Sequence, residues 1–103
     1  MHNTPYIYLF IREDLSIPQQ IVQTAHAVDE LGKRIDNSSK TNHMVLFSVR
    51  DEYALSNIAE YLKEHKVLYE MFYEPDIEAF TAIATRPLIG NERSIMSKFK
   101  LKK

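Results

Sequence analysis

Gln19, Gln23, His26 and Glu30 recur at intervals of three and four residues, the spacing that lines side chains along one face of an α-helix. At about 100° per residue they fall within roughly 60° of one another. Two amides and a carboxylate supply donors and acceptors, and the imidazole alone among them exchanges a proton near neutral pH. A stripe of this kind can hold a polar substrate and move a proton on it. Ile21, Ala25, Val28 and Ile35 gather on the far side, which predicts a helix packed through those residues with the polar stripe facing solvent or a ligand. The same residues also have plain structural roles. Gln19 suits the capping partner of Ser16, Gln23 and Glu30 suit a wet helix face, and His26 suits a solvated histidine.

A second constellation is the turn Glu74-Pro75-Asp76, leading into Thr81-Ala82-Ile83-Ala84-Thr85. Carboxylates on a rigid turn can orient a water or a hydroxyl, and they also simply form turns. Strand alternation puts Thr81 and Thr85 on one face with Ile83. The chain has four histidines, on separate elements and with no histidine pair at helical ligand spacing, and it has no cysteine. A metal site is therefore not expected, and neither is a disulfide framework. With two glycines in all, a glycine-rich phosphate cradle is excluded, and with it the common nucleotide-binding loops. No serine sits in a nucleophile-elbow context.

The elements that must position these groups follow from the hydrophobic pattern. Residues 6–11 (YIYLFI) are apolar without alternation, the mark of a strand covered on both faces. Arg12-Glu13-Asp14-Leu15 reads as a loop, and Ser16 caps a helix that tolerates Pro18 in its first turn and runs to about Ile35. Residues 37–42 read as a polar loop and the segment expected to move. His43–Val49 reads as a second buried strand, and Asp51 opens a second helix with Leu55, Ile58, Ala59 and Leu62 on its buried face. Residues 67–73 and 81–85 read as the third and fourth strands, with Pro75 marking the turn between them. Gly90 breaks the chain before a short terminal segment. The order is β-α-β-α-β-β, and right-handed crossovers make the first two strands parallel. The short separation of the last two strands favours antiparallel pairing. The expected fold is a small α/β sandwich on a mixed sheet.

At 103 residues the chain suits one domain, residues 1–103, with one core. Hydrophobic residues make up 45% and charged residues 26%, an ordinary globular balance. No apolar run approaches the roughly 20 residues a membrane span needs, and no secretory leader is visible, so the chain reads as a cytoplasmic protein with no membrane partner. The net charge of −1 lacks the basic excess of a dedicated nucleic-acid binder. Its last eleven residues are nonetheless basic, with Arg93, Lys98, Lys100, Lys102 and Lys103 and no acid.

Together these features resemble the type II peptidyl-tRNA hydrolases. The likeness rests on an apolar strand ending in Arg12-Glu13-Asp14-Leu15, and on a helix carrying Gln23-x-x-His26-Ala27, similar to the family pattern G-K-x-x-x-Q-x-x-H-A. The strand Thr81-Ala82-Ile83-Ala84-Thr85-Arg86-Pro87 and the element order complete it, so the resemblance spans nearly the whole chain. It implies hydrolysis of the ester between a peptidyl group and tRNA, no cofactor, tRNA as partner and a homodimeric habit. Carried over by position, Gln23, His26 and Thr81 match, and Glu74 is the nearest counterpart of the family aspartate, with Asp76 second. His26, Glu74 and Thr81 then stand as catalytic candidates, and Gln19, Gln23, Asp76 and Arg12 as substrate-binding ones. Gln19 stands where the family has lysine, which removes a cation from the site. Arg12 or Arg86 is positioned to replace it, or else the chain is a non-catalytic member of the fold that binds RNA or protein.

Overall fold

The computed structural model describes residues 4–35 and 41–99. His2, most of the polar loop (37–40) and the basic residues Lys100, Lys102 and Lys103 lie outside the described residues. The elements run β1 (Tyr6–Arg12), α1 (Ile17–Gly32), β2 (His43–Val49), α2 (Glu52–Glu64), β3 (Tyr69–Glu74), β4 (Ala79–Thr85) and a 3-10 helix at Gly90–Met96. The strands form one sheet in the order β2-β1-β4-β3. β1 and β2 are parallel, while β4 is antiparallel to both β1 and β3.

β1 lacks alternation because both of its faces are covered. Ile7, Leu9 and Ile11 pack with Ala27 and Leu31 of α1, whereas Tyr8 and Phe10 pack with Leu55, Ala59 and Leu62 of α2. Each buried Ile, Leu or Phe side chain among these contributes roughly 1.5–3 kcal/mol of hydrophobic transfer. Arg12 proves to be the last residue of the strand, not part of the loop. α2 starts where expected, with the Asp51 carboxylate accepting from the Ala54 amide at 2.9 Å. Leu55, Ala59 and Leu62 form its buried face. No helix of the described residues is long and apolar enough to cross a membrane.

α1 departs from the expected arrangement in two ways. It ends at Gly32, short of Ile35, and it does not pack through Ile21 and Ala25. Its buried residues are Gln20, Gln23, Ala27 and Leu31, while Ile21 is 66% exposed. Two glutamines can lie against a sheet at little cost when their amides are paired there. Gln20 donates to the Leu15 carbonyl at 2.8 Å, and Gln23 is paired as described below. The helix thereby leans across β1, β4 and β3 and makes little contact with β2.

Candidate functional site

The site starts with an irregularity in β4. Pairing with β3 passes from Phe72↔Ala82 to Tyr73↔Phe80, which leaves Thr81 as an extra residue on β4. Such a bulge interrupts alternation and re-aims a side chain. Thr81 is thereby separated from Ile83. Ile83 packs in the α2-side core, whereas the Thr81 hydroxyl donates to Gln23 Oε1 on α1 at 2.8 Å. This corrects the expectation that the two residues share a face. Pairing of β1 with β4 stops at Ile11↔Ala82, so the Phe80 backbone needs other partners. Arg12 Nη1 donates to the Phe80 carbonyl at 3.0 Å, and the Phe80 amide donates to Glu52 Oε2 at 2.8 Å.

Gln23 is the hub of the cluster and is only 1% exposed. Its Oε1 accepts from Thr81. Its Nε2 donates to Gln19 Oε1 at 3.0 Å and to Glu74 Oε1 at 2.8 Å. Ser16 Oγ accepts from the Gln19 amide at 3.3 Å, so the N-cap expected there forms. The Gln19 side chain, however, goes to Gln23. Because Gln19 uses its oxygen inward, its NH2 group turns away from the hub, with two donors to offer at the surface.

Glu74 ends β3 and shares a face with Phe72 by strand alternation. Its second oxygen accepts from the Asp76 amide at 3.2 Å. The hydrogen bond from Gln23, then that from Asp76, and more weakly the nearby His26, hold the Glu74 carboxyl below its ordinary range. It is a carboxylate at neutral pH. His26 lies one helical turn from Gln23, exposed, with its ring stacked on Phe72 at 4.6 Å and 8° from parallel.

The structure thus joins Gln19, Gln23, Glu74 and Thr81 in one hydrogen-bonded cluster with His26 at its rim. Asp76 takes part only through its backbone and is otherwise exposed. Arg12 stands apart from the cluster, because Asp14 holds its guanidinium through two bonds of 2.9 and 2.8 Å and Phe80 takes a third. Arg86 is likewise engaged, by Glu92 and the Pro87 carbonyl. Glu30 pairs with Lys33 at 3.0 Å on the solvated side. Phe72 was absent from the residues singled out by sequence, although its place two residues before Glu74 puts it on the same strand face. The aromatic segment of β3 is half-buried, apart from Tyr73, which is exposed. Tyr69 and Met71 pack on the α2-side core, and Phe72 packs on the α1 side. Among the described residues no group of histidine, aspartate and glutamate is disposed to hold a metal.

No family model matches this chain, and no curated protein matches it. Among solved structures it is similar to a protein of unknown function from Agrobacterium tumefaciens str. C58. The two superpose with a TM-score of 0.66 over 96% of this chain and 98% of the other, at 15% identity. At that identity the likeness is one of fold.

Proposed function

We propose that the cluster around Gln23 is the active site of a hydrolase that cleaves the ester between a peptidyl group and tRNA. The observation that carries this reading is the single Gln23 amide bonded to Gln19, Glu74 and Thr81 at once. Those groups come from α1, β3 and β4, and they are the ones the family resemblance singles out. Thr81 and Gln23 are buried, so they are positioning residues. The groups a substrate can touch are Gln19, His26 and Glu74.

Their chemistry suits acyl transfer to water. His26 takes a proton from a water that attacks the ester carbonyl, and the imidazolium is stabilised by the Glu74 carboxylate. The outward NH2 of Gln19 donates to the carbonyl oxygen as negative charge develops there. The tetrahedral intermediate then expels the ribose oxygen, which recovers the proton from His26. The products are a peptide carboxylic acid and tRNA with a free hydroxyl, and no cofactor is consumed. tRNA is the partner, and the location is the cytoplasm.

A specific observation favours a second reading, a non-catalytic binding module on the same fold. Gln19 is neutral, and Arg12 and Arg86 are bound elsewhere, so neither arginine supplies the cation that the family lysine would place at residue 19. Loss of one oxyanion donor costs roughly 3 kcal/mol in known hydrolases. Purified protein incubated with labelled peptidyl-tRNA separates the two. Turnover that disappears in His26→Ala and falls in Glu74→Gln supports the hydrolase. Turnover no higher than in the His26→Ala, Glu74→Gln double variant leaves the binding module.

A further inference from the structure

β3 is an edge strand, paired with β4 alone. The Arg86 amide donates to the Leu68 carbonyl at 2.8 Å, so the backbone of residue 68 faces β4. Backbone direction alternates along a strand, and the amides and carbonyls of Tyr69, Met71 and Tyr73 therefore face away from the sheet. Two contacts agree with that direction. Arg34 Nη1 donates to the Tyr69 carbonyl at 3.1 Å. Phe80, the register partner of Tyr73, turns its own backbone toward Arg12 and Glu52. Among the described residues no segment other than Arg34 bonds to this outward row. Such a row is a template for one more strand.

The N-terminal end of this edge is basic. A cavity of about 630 Å³ there is formed by Arg34, Lys63, Lys66, Tyr69, Glu70 and Met71 with their neighbours. Its three cations come from three segments: the residues after α1, the last turn of α2 and the α2–β3 connection. Arg34 pairs with Glu70 at 2.7 Å and uses only Nη1 for that bond and for Tyr69, so Nη2 and Nε remain as donors. Lys63 and Lys66 form no ion pair among the described residues. Lys66 also terminates α2. Its amide donates to the Lys63 carbonyl at 3.1 Å, and the Val67 amide donates to the Leu62 carbonyl at 3.0 Å. Helices that end this way ordinarily carry glycine at the residue with positive φ, and here that residue is Lys66, with φ 61°. The described residues beyond segment 36–40 lead into β2, at the opposite edge of the sheet.

We propose that the β3 edge takes an extended peptide as an added antiparallel strand, with acidic residues at the C-terminal end of that peptide. Antiparallel pairing is the stabler arrangement per residue, and it brings that end beside Tyr69. There Arg34 approaches from the α1 layer, and Lys63 and Lys66 approach from the α2 layer. The backbone row selects a peptide over a nucleic acid, because amides and carbonyls at strand spacing are matched only by another peptide backbone. The cations select carboxylates, which meet complementary charge where a basic strand meets repulsion. The proposal goes beyond the hydrolase reading and uses none of Gln19, Gln23, His26 or Thr81.

Amide hydrogen exchange on the full chain, followed by NMR, tests it. The probe is a synthetic peptide of alternating valine and threonine that ends in glutamates, and the control carries lysines in their place. The glutamate peptide is expected to slow exchange at Tyr69, Met71 and Tyr73 and to leave Glu70 and Phe72, already turned toward β4, unchanged. Methylating every second backbone nitrogen of the peptide is expected to abolish binding in one phase and spare it in the other. A Lys63→Gln, Lys66→Gly double variant removes two cations and gives the positive φ a glycine, so the fold is retained. It is expected to weaken binding by about fivefold or more, the effect of two exposed charge pairs. The proposal is overturned by no binding at about 1 mM peptide, by equal binding of the lysine control, or by an affinity that the double variant leaves unchanged. Protection that does not alternate along β3 also overturns it. So does protection already present in the free chain that rises with its concentration, which would assign the edge to a second copy, or a short single-stranded RNA that binds these residues where the peptide does not.

Discussion

Thr81→Val removes one hydroxyl from a fully buried position and leaves the side-chain shape unchanged. Valine suits a strand, so the backbone tolerates the change. What is lost is the donor to Gln23 Oε1 at 2.8 Å. Gln23 is 1% exposed, so water does not replace that donor. The net hydrogen bond contributes about 1 kcal/mol, and a stranded buried acceptor raises the cost to about 1–3 kcal/mol. For a domain of about 100 residues this lowers the melting temperature by roughly 5–15 °C. Urea unfolding followed by circular dichroism reads the change as a lower midpoint at constant slope. Gln23→Leu also removes the donor to Gln19 and Glu74, so in the Thr81→Val background it is expected to cost less than the sum of the two single changes, giving a coupling of about 1 kcal/mol or more. A Thr81→Val effect below about 0.5 kcal/mol, or additive single and double variants, would refute the clamp between α1 and the bulge.

Other outcomes follow from the same geometry. Glu74, Asp14 and Glu92 are all held below their ordinary values, first by their hydrogen bonds from Gln23, Arg12 and Arg86 respectively. The folded chain binds these protons more weakly than the unfolded chain. Their stabilisation is therefore complete above about pH 4.5, the ordinary glutamate value, and is lost as pH falls through the lower folded values. Urea midpoints measured from pH 7 to pH 3 should fall, and Glu74→Gln should flatten part of that slope; an unchanged slope would exclude Glu74 from the acid response. Arg12→Ala frees the Phe80 carbonyl beside the bulge and is expected to cost about 1–3 kcal/mol in the same unfolding assay. If the site is hydrolytic, Gln19→Lys adds the missing cation and should raise turnover of labelled peptidyl-tRNA by about 10²-fold, the counterpart of roughly 3 kcal/mol. An unchanged rate would place the ester oxygen away from residue 19.

Much of the fold was legible because it depends on local pattern. The unbroken apolar run of β1 declared a strand covered on both faces, and Asp51 with Leu55, Ala59 and Leu62 declared α2 and its buried side. Ser16 marked the start of α1 for the same reason, since a cap is satisfied within a few residues. The candidate residues on α1 and at the β3–β4 turn were likewise visible as types and spacings. Their arrangement was not. Apolar periodicity assigned the wrong face to α1, because it counts Ile21 and Ala25 and cannot see that Gln23 finds Glu74 and Thr81, 51 and 58 residues away. A buried amide is acceptable only once such partners exist, and they exist only in the assembled sheet.

The bulge at Thr81 has the same character. No glycine marks it, and nothing in Phe80-Thr81-Ala82-Ile83 singles out Thr81 as the extra residue. It arises where β4 must pair with β3 on one side while β1 runs out on the other, and Arg12 and Glu52 supply partners to the Phe80 backbone there. Sequence by itself thus determined the elements, their order and the side chains able to do chemistry. Tertiary structure alone decided which of them meet, because a strand's register and a polar group's burial depend on distant neighbours.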